Sequence, residues 1–311
     1  MHQPNRATPL HLRRLRLLLP LSLISLSLLA QDQDATFRSD TRLVVLHASV
    51  VDSKGKLVTN LPKEAFKVTE NGQPQQVRIF RREDVPVSLG LIVDNSGSMR
   101  NKRTKVEAAA LAMVKESNPR DEVMVVNYND EAYEDVPLTS DIKKMEEGLQ
   151  RIDARGGTAM YDAVAMTIDR LKQKGKREKK VIMLITDGND NASLTKLEQL
   201  LRKVSNEEIV IHCIGILEEE ERTAARKAKR AVESMSTATG GLFFFPKDLA
   251  EVERISLEVA HDIRNQYVLA YSPTNQTLDG SFRTIKVTAN GPNKPTVRTR
   301  TGYYASAEKK K

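Results

Sequence analysis

The 311-residue chain has one cysteine, no tryptophan and few aromatic residues of any kind. The lone Cys213 excludes an intramolecular disulfide framework and any cysteine-rich zinc site. No apolar run is long enough to cross a bilayer comfortably. The most extended one, Leu17 to Ala30, falls short of the ~20 residues a spanning helix needs and contains Pro20. There is no G-x-S-x-G elbow, no G-x-x-x-x-G-K-[ST] loop and no G-x-G-x-x-G after a strand, so the common hydrolase, nucleotide and dinucleotide signatures are missing. What is present is ordinary: 40% hydrophobic and 29% charged residues argue for globular domains and against collagen, wholesale disorder or a polytopic membrane protein. The length predicts two or three compact units.

The formal net charge of +8 invites a nucleic-acid reading, which the location of the charges removes. Residues 1–30 hold Arg6, Arg13, Arg14 and Arg16 and no acid, followed by Leu17–Ala30 and the polar Gln31-Asp32. A positive start, a short apolar middle and a small residue at the exit predict a secretory signal peptide. The protein is then exported: periplasmic, secreted or cell-envelope associated. If uncleaved, the same segment would be a membrane contact. No cysteine lies near residue 30 for lipid attachment, and Arg13-Arg14 lacks the residues that normally complete a twin-arginine signal. Without residues 1–30 the charge is +4, and Glu308 with Lys309–Lys311 accounts for another +2. A nearly neutral body with no tryptophan and no recognisable module predicts no nucleic-acid partner.

Three patterns divide the remainder. Residues 31–86 form an N-terminal β segment, with strands at Arg42–Val51, Phe66–Glu70 and Gln76–Phe80 and a hairpin signal at Asn71-Gly72. Residues 87–264 alternate apolar strands with amphipathic helices. Val87–Val93, Glu122–Tyr128, Lys180–Ile185 and Glu208–Ile216 are the main strands, with a shorter one near 132–136. Thr104-x-x-Glu107 and Thr195-x-x-Glu198 are expected capping boxes, and a last helix covers about 248–264. Residues 265–305 return to β, with strands at Tyr267–Tyr271, Phe282–Thr288 and Thr296–Arg300, and 306–311 is a basic tail. The predicted fold class is α/β: a doubly wound, mainly parallel, Rossmann-like sheet with helices on both faces. Each flanking β segment is too small to bury a core alone. The two are therefore expected to form one small β-sandwich into which the α/β domain is inserted.

In such a sheet, ligands bind beyond the carboxyl ends of the strands. Those ends carry Asp94-Asn95-Ser96-Gly97-Ser98-Met99, Gly156-Gly157-Thr158-Ala159 and Thr186-Asp187-Gly188-Asn189-Asp190. Their side-chain donors are hard oxygens without histidine or cysteine, which suits Mg²⁺, Ca²⁺ or Mn²⁺ and disfavours Zn²⁺ or Cu²⁺. Alternate residues Asp94, Ser96 and Ser98 can converge from one tight loop, with Gly97 allowing the close turn. Thr158 and Asp187 would approach from the sides. Two carboxylates and several neutral hydroxyls leave a divalent ion electrophilic, so its complement is an acidic group on a partner.

Together these three loops resemble the metal-ion-dependent adhesion site of the von Willebrand factor type A (VWA) family, over about residues 85–262. The resemblance implies that Ser96 and Ser98 ligate directly and that Asp94 and Asp187 act directly or through water. It also implies that Thr158 enters or leaves coordination as affinity changes, with Mg²⁺ the foremost ion and a carboxylate-bearing protein as partner. Movement of the last helix would couple the site to the flanking β segments. Those segments, at Arg42–Val51, Phe66–Gly72, Tyr267–Pro273 and Asp279–Arg283, resemble secreted bacterial VWA-related proteins. The implied function is adhesion or scaffolding without catalysis. The alternative is a metal-dependent hydrolase using Asp94, which would need a Lys or Arg clamp that is not apparent in the three loops.

Other polar residues have plainer readings. Asn189 and Asp190 read as a solvated loop, with support of the ligands as the alternative, and Asn129-Asp130 as a strand-end turn. His212, Cys213, Tyr267 and Tyr271 read as core, Phe243–Phe245 as a buried strand, and Lys172–Lys180 as a solvated basic loop.

Overall fold

The computed structural model describes residues 42–306 apart from 83, 117, 151–153, 218 and 219. The expected signal segment, residues 31–41 and residues 307–311 of the basic tail lie outside the described residues. The chain begins with β1 (Val44–Val51), β2 (Phe66–Glu70), β3 (Gln73–Gln75) and β4 (Val77–Arg81). The α/β region starts with β5 (Val87–Asp94), α1 (Arg103–Lys115), β6 (Glu122–Tyr128), β7 (Ala132–Thr139), α2 (Ile142–Leu149) and α3 (Met160–Lys174). It continues through β8 (Lys179–Thr186), α4 (Leu197–Asn206), β9 (Ile209–Gly215), α5 (Arg222–Thr239), β10 (Phe243–Phe244) and α6 (Glu251–Arg264). β11 (Tyr267–Tyr271), β12 (Phe282–Ala289), β13 (Thr296–Arg298) and β14 (Gly302–Tyr304) follow.

The central sheet has the order β10-β9-β8-β5-β6-β7, parallel except for the edge strand β7. Every residue of β5, β6 and β9 is buried, as near-continuous apolar runs between two helical layers require. Leu89, Leu91 and Val93 of β5 pack with Val106 and Met113 of α1 and Val252 and Val259 of α6. Ile92 faces the opposite layer, with Val164 and Ile168 of α3. Each such side chain contributes roughly 1.5–3 kcal/mol. Gly90 lets α3 approach closely: a Cβ there would stand 2.3 Å from Thr167 Cγ2. Gly90→Ala should therefore destabilise the protein by about 1–3 kcal/mol. An unchanged urea midpoint would show that the two elements can part at no cost.

This topology makes the site. β5 lies between β6 on one side and β8 on the other, so the connections leaving its end diverge. The carboxyl ends of β5 and β8 are the switch point of a doubly wound sheet, the place where such sheets bind ligands. Asp94 ends β5, and Asp187 follows β8 directly.

The flanking strands form two four-stranded sheets, β13-β1-β11-β4 and β14-β12-β2-β3, each mixing N- and C-terminal strands. They share one core that includes Leu46, Phe66, Val68, Tyr267, Leu269 and Ile285. Buried Glu70 accepts hydrogen bonds from Tyr271 Oη (2.7 Å) and Tyr303 Oη (2.9 Å), tying an N-terminal strand to two C-terminal ones. The predicted interleaving is thus present.

Several local expectations change. The hairpin turns at Asn71 (φ 48°) and Gly72 (φ 78°), but its return strand is the short β3. β4 then leaves for the other sheet and pairs with β11. Neither threonine caps its helix. α1 begins at Arg103 after Lys102, and α4 follows Lys196, whose backbone N–H is met by Gln199 Oε1 at 3.0 Å. β10 is a two-residue edge strand with Phe243 exposed, because only β9 flanks it. Lys179, read as part of a solvated run, is buried and donates to Ile263 O at the end of α6. Burial lowers its pKa to about 8. His212 is fully buried, as expected, and burial lowers its pKa to about 4. Its Nδ1 accepts from Leu242 N at 3.1 Å, so the neutral ring carries its proton on Nε2.

Candidate metal centre

Beyond β5 the chain passes through Asn95 and Ser96 into a short 3-10 turn (Gly97–Asn101) before α1. The Asp94 carboxylate is wholly buried. Its Oδ1 accepts from Ser96 N (2.9 Å), and its Oδ2 from Tyr128 Oη (3.1 Å) and Thr186 Oγ1 (2.9 Å). Burial first, and the like charge of Asp187 second, raise this carboxyl to about 6 despite those hydrogen bonds. Burial also pushes the Tyr128 phenol well above its usual range, which keeps it a proton donor to Asp94.

The first and third loops meet through hydroxyls. Ser96 Oγ and Ser98 Oγ lie 3.1 Å apart, and Ser98 Oγ donates to Asp187 Oδ1 at 2.8 Å. Ser96, Thr158 and Asp187 are buried while Ser98 is exposed, so the cluster opens to solvent at Ser98. The second loop is bonded to the first by Gly97 N to Gly156 O (3.3 Å) and Arg155 N to Asn95 O (3.2 Å). Thr158 N donates to Asn191 Oδ1 (2.8 Å), and Thr158 Oγ1 faces Gly188, where an added Cβ would stand 3.9 Å away. The structure thereby brings Asp94, Ser96, Ser98 and Asp187 together at the carboxyl ends of β5 and β8, with Thr158 beside Gly188, the residue after Asp187.

Residues outside this set shape it. Gly156 adopts φ +73° over the Asp130 carboxylate, where a Cβ would meet Oδ2 at 2.1 Å. Asp130 Oδ1 accepts from Gly157 N at 2.7 Å. Asp130 is therefore more than a strand-end turn: it holds the Gly-Gly loop. Asp190 instead pins the start of α3, accepting from Tyr161 N (2.8 Å) and Ser193 Oγ (2.6 Å); it is half-buried and not the solvated loop residue expected.

Two cations adjoin the first loop. Lys102 Nζ donates to Asp187 Oδ2 at 2.9 Å, with side-chain exposures of 7% and 0%. Arg103 is fully buried and donates to Asn127 Oδ1 (2.6 Å) and to the carbonyls of Asp94 and Leu149 (each 3.3 Å). No Lys or Arg clamp is apparent within the three loops themselves; these two cations reach them from just beyond the first. The available signal was a pair of basic residues opening a helix, where the dipole disfavours positive charge and some acceptor must hold it.

Among the described residues no three His, Cys, Asp or Glu side chains group as a metal cluster. The donor set here is two carboxylates and three hydroxyls, which fits a hard divalent cation. Asp187 already accepts one positive charge, the Lys102 ammonium.

Residues 89–189 match the von Willebrand factor type A domain family, a stretch that contains Asp94, Ser96, Ser98, Thr158 and Asp187. The chain is 24% identical over 226 residues to inter-alpha-trypsin inhibitor heavy chain H4 of Bos taurus, covering 67% of this chain and 24% of that protein. It is 26% identical over 140 residues to an uncharacterized protein of Synechocystis sp., covering 42% of this chain and 32% of that one. The chain thus spans about a quarter to a third of the length of these curated relatives. A von Willebrand factor type A structure from Catenulispora acidiphila shares the fold, with a TM-score of 0.51 and 15% identity over 88% of this chain and 76% of that one. With its sheet order, its helical layers and this family match, the chain contains a von Willebrand factor type A domain.

Proposed function

We propose that this is an exported, non-enzymatic binding protein whose VWA domain uses a divalent cation, foremost Mg²⁺, to capture an acidic group on a partner protein. One observation carries the reading: three loops converge at the switch point with oxygen donors only, buried except at Ser98. Asp94, Ser96, Ser98, Thr158 and Asp187 would hold the ion, which when bound supplies an electrophilic position for a carboxylate. The chain's own part is to fix those oxygens. Tyr128 and Thr186 orient Asp94, Ser98 orients Asp187, and Asn191 and Asp130 hold the Thr158 loop. The surface around Ser98 would give selectivity. A hydrolase has less support, because the adjacent cations are already engaged: Lys102 with Asp187, and Arg103 behind the Asp94 carbonyl.

Calorimetry with Mg²⁺, Ca²⁺ and Mn²⁺ tests the site, and binding of at least one of them is expected. A pull-down from envelope extract with and without EDTA tests the function: a captured protein should be lost on chelation. Absence of binding by all three ions would end the reading. Metal-dependent turnover of phosphate or peptide substrates that disappears in Asp94→Ala would favour the hydrolase instead.

A further inference from the structure

Lys102 stands immediately before α1, where the helix dipole opposes a positive charge, and it is almost wholly buried. A buried ammonium in that position must be sustained by an anion, and the acceptor is Asp187 Oδ2 at 2.9 Å. The other oxygen of Asp187 accepts from Ser98. The two carboxylates of the site are unequal in consequence. Both oxygens of Asp94 face neutral donors, whereas Asp187 has its charge matched by a tethered cation. Lys102 thus offsets one of the negative charges that Asp94, Asp187 and Glu220, whose Oε2 lies 3.7 Å from where a Cβ on Gly188 would stand, present to an incoming ion.

We propose that Lys102 is an internal counter-cation that competes with the divalent ion for Asp187, holding the affinity for the ion alone low until an external carboxylate completes the charge. The inference rests on the divalent-cation reading above. Its physical basis is repulsion between the ammonium and a doubly charged ion sharing one buried carboxylate. An anionic group arriving with a partner offsets that repulsion. Cation and anion then bind cooperatively, each strengthening the other by the same factor.

The experiment measures Mn²⁺ affinity by calorimetry on the whole chain, in wild type and in Lys102→Gln, Lys102→Met, Lys102→Arg and Asp94→Ala, with thermal melts to establish folding. Glutamine removes the charge but retains an N–H donor for Asp187, methionine removes both, and arginine retains the charge. Glutamine and methionine should each bind Mn²⁺ at least about tenfold more tightly than wild type, while arginine stays within about threefold. Acetate should strengthen Mn²⁺ binding more in wild type than in the glutamine variant. If the methionine variant does not fold, the glutamine variant decides. Unchanged or weaker binding in glutamine, with wild-type binding lost in Asp94→Ala, overturns the role of Lys102 and leaves the cation site standing. No Mn²⁺ binding by any variant, wild type included, removes the site and the proposal together. Absence of any acetate effect in wild type overturns the coupling.

Discussion

Arg103→Met should destabilise the protein by about 3–5 kcal/mol, among the largest effects of any single substitution in it. The guanidinium is fully buried, and its planar fork binds three acceptors on separate elements: Asp94 O at the end of β5, Asn127 Oδ1 on β6 and Leu149 O at the end of α2. Nε lies 3.4 Å from Glu107 Oε1, an ion pair within α1. Burial lowers the pKa of Arg103 and raises that of Glu107, while each charge supports the other. Methionine matches much of the hydrocarbon stem but leaves Glu107 without its counter-ion and the amide and two carbonyls without donors. Lysine should not rescue, because one ammonium cannot present donors in a fork to all three. Urea denaturation checks the magnitude, and a loss below about 1 kcal/mol would show that water replaces the guanidinium at this junction. Asp94 is held from behind by the same residue, so the Arg103 variant should also bind divalent cations more weakly wherever it remains folded.

Asp94→Asn should abolish cation binding, by at least about 100-fold, and stabilise the cation-free protein by about 1–3 kcal/mol above pH 6. Asparagine keeps the shape and the acceptor for Ser96 N, and the Tyr128 and Thr186 hydroxyls can rotate to accept from its amide. What disappears is a buried charge close to Asp187. The sign follows from the raised carboxyl. The pKa is about 6 in the fold against 3.8 as a free side chain, so the fold favours the protonated form. That contribution is present below the unfolded value and is lost as pH rises through about 6. In EDTA, the stability gap between Asp94→Asn and wild type should therefore open from about pH 4 to about pH 6 and then level off. His212 acts in the opposite direction, its depressed pKa removing stability as pH falls below 6.5, but it is common to both proteins and cancels in the difference. A variant that gains nothing and still binds Mn²⁺ would take Asp94 out of the site.

Much of this architecture could be read from the chain. The apolar runs at 87–93, 122–128 and 209–216 imply strands covered on both faces, and β5, β6 and β9 are buried throughout. Asp94, Ser96, Ser98, Thr158 and Asp187 are placed by short-range logic, since each lies at the end of a strand, just after one or just before a helix, and the parallel order brings those ends together. Tyr267 and Tyr271, at strand spacing, are both core residues of the sandwich. The misreadings share a cause as well. Lys179 reads as solvated among its basic neighbours, yet it is covered by the end of α6. The Phe243–Phe245 run reads as buried, yet it lies at a sheet edge. The return from the Asn71-Gly72 turn reads as one strand, yet it divides between two sheets.

By itself, then, the sequence determined the alternation of elements, the pairing of its two β ends and the oxygen-only chemistry at the strand termini. Hydrophobic period and turn composition act over a few residues and leave their mark there. Only the tertiary structure decided which charge meets which. Lys102 reaches Asp187 across 85 positions, Tyr128 and Thr186 converge on Asp94 from the two neighbouring strands, and Asp130 seats the Gly156-Gly157 turn from 27 positions away. These contacts depend on sheet order and on the angle at which α1 leaves its loop, which are set by packing over the whole domain and have no local period to betray them.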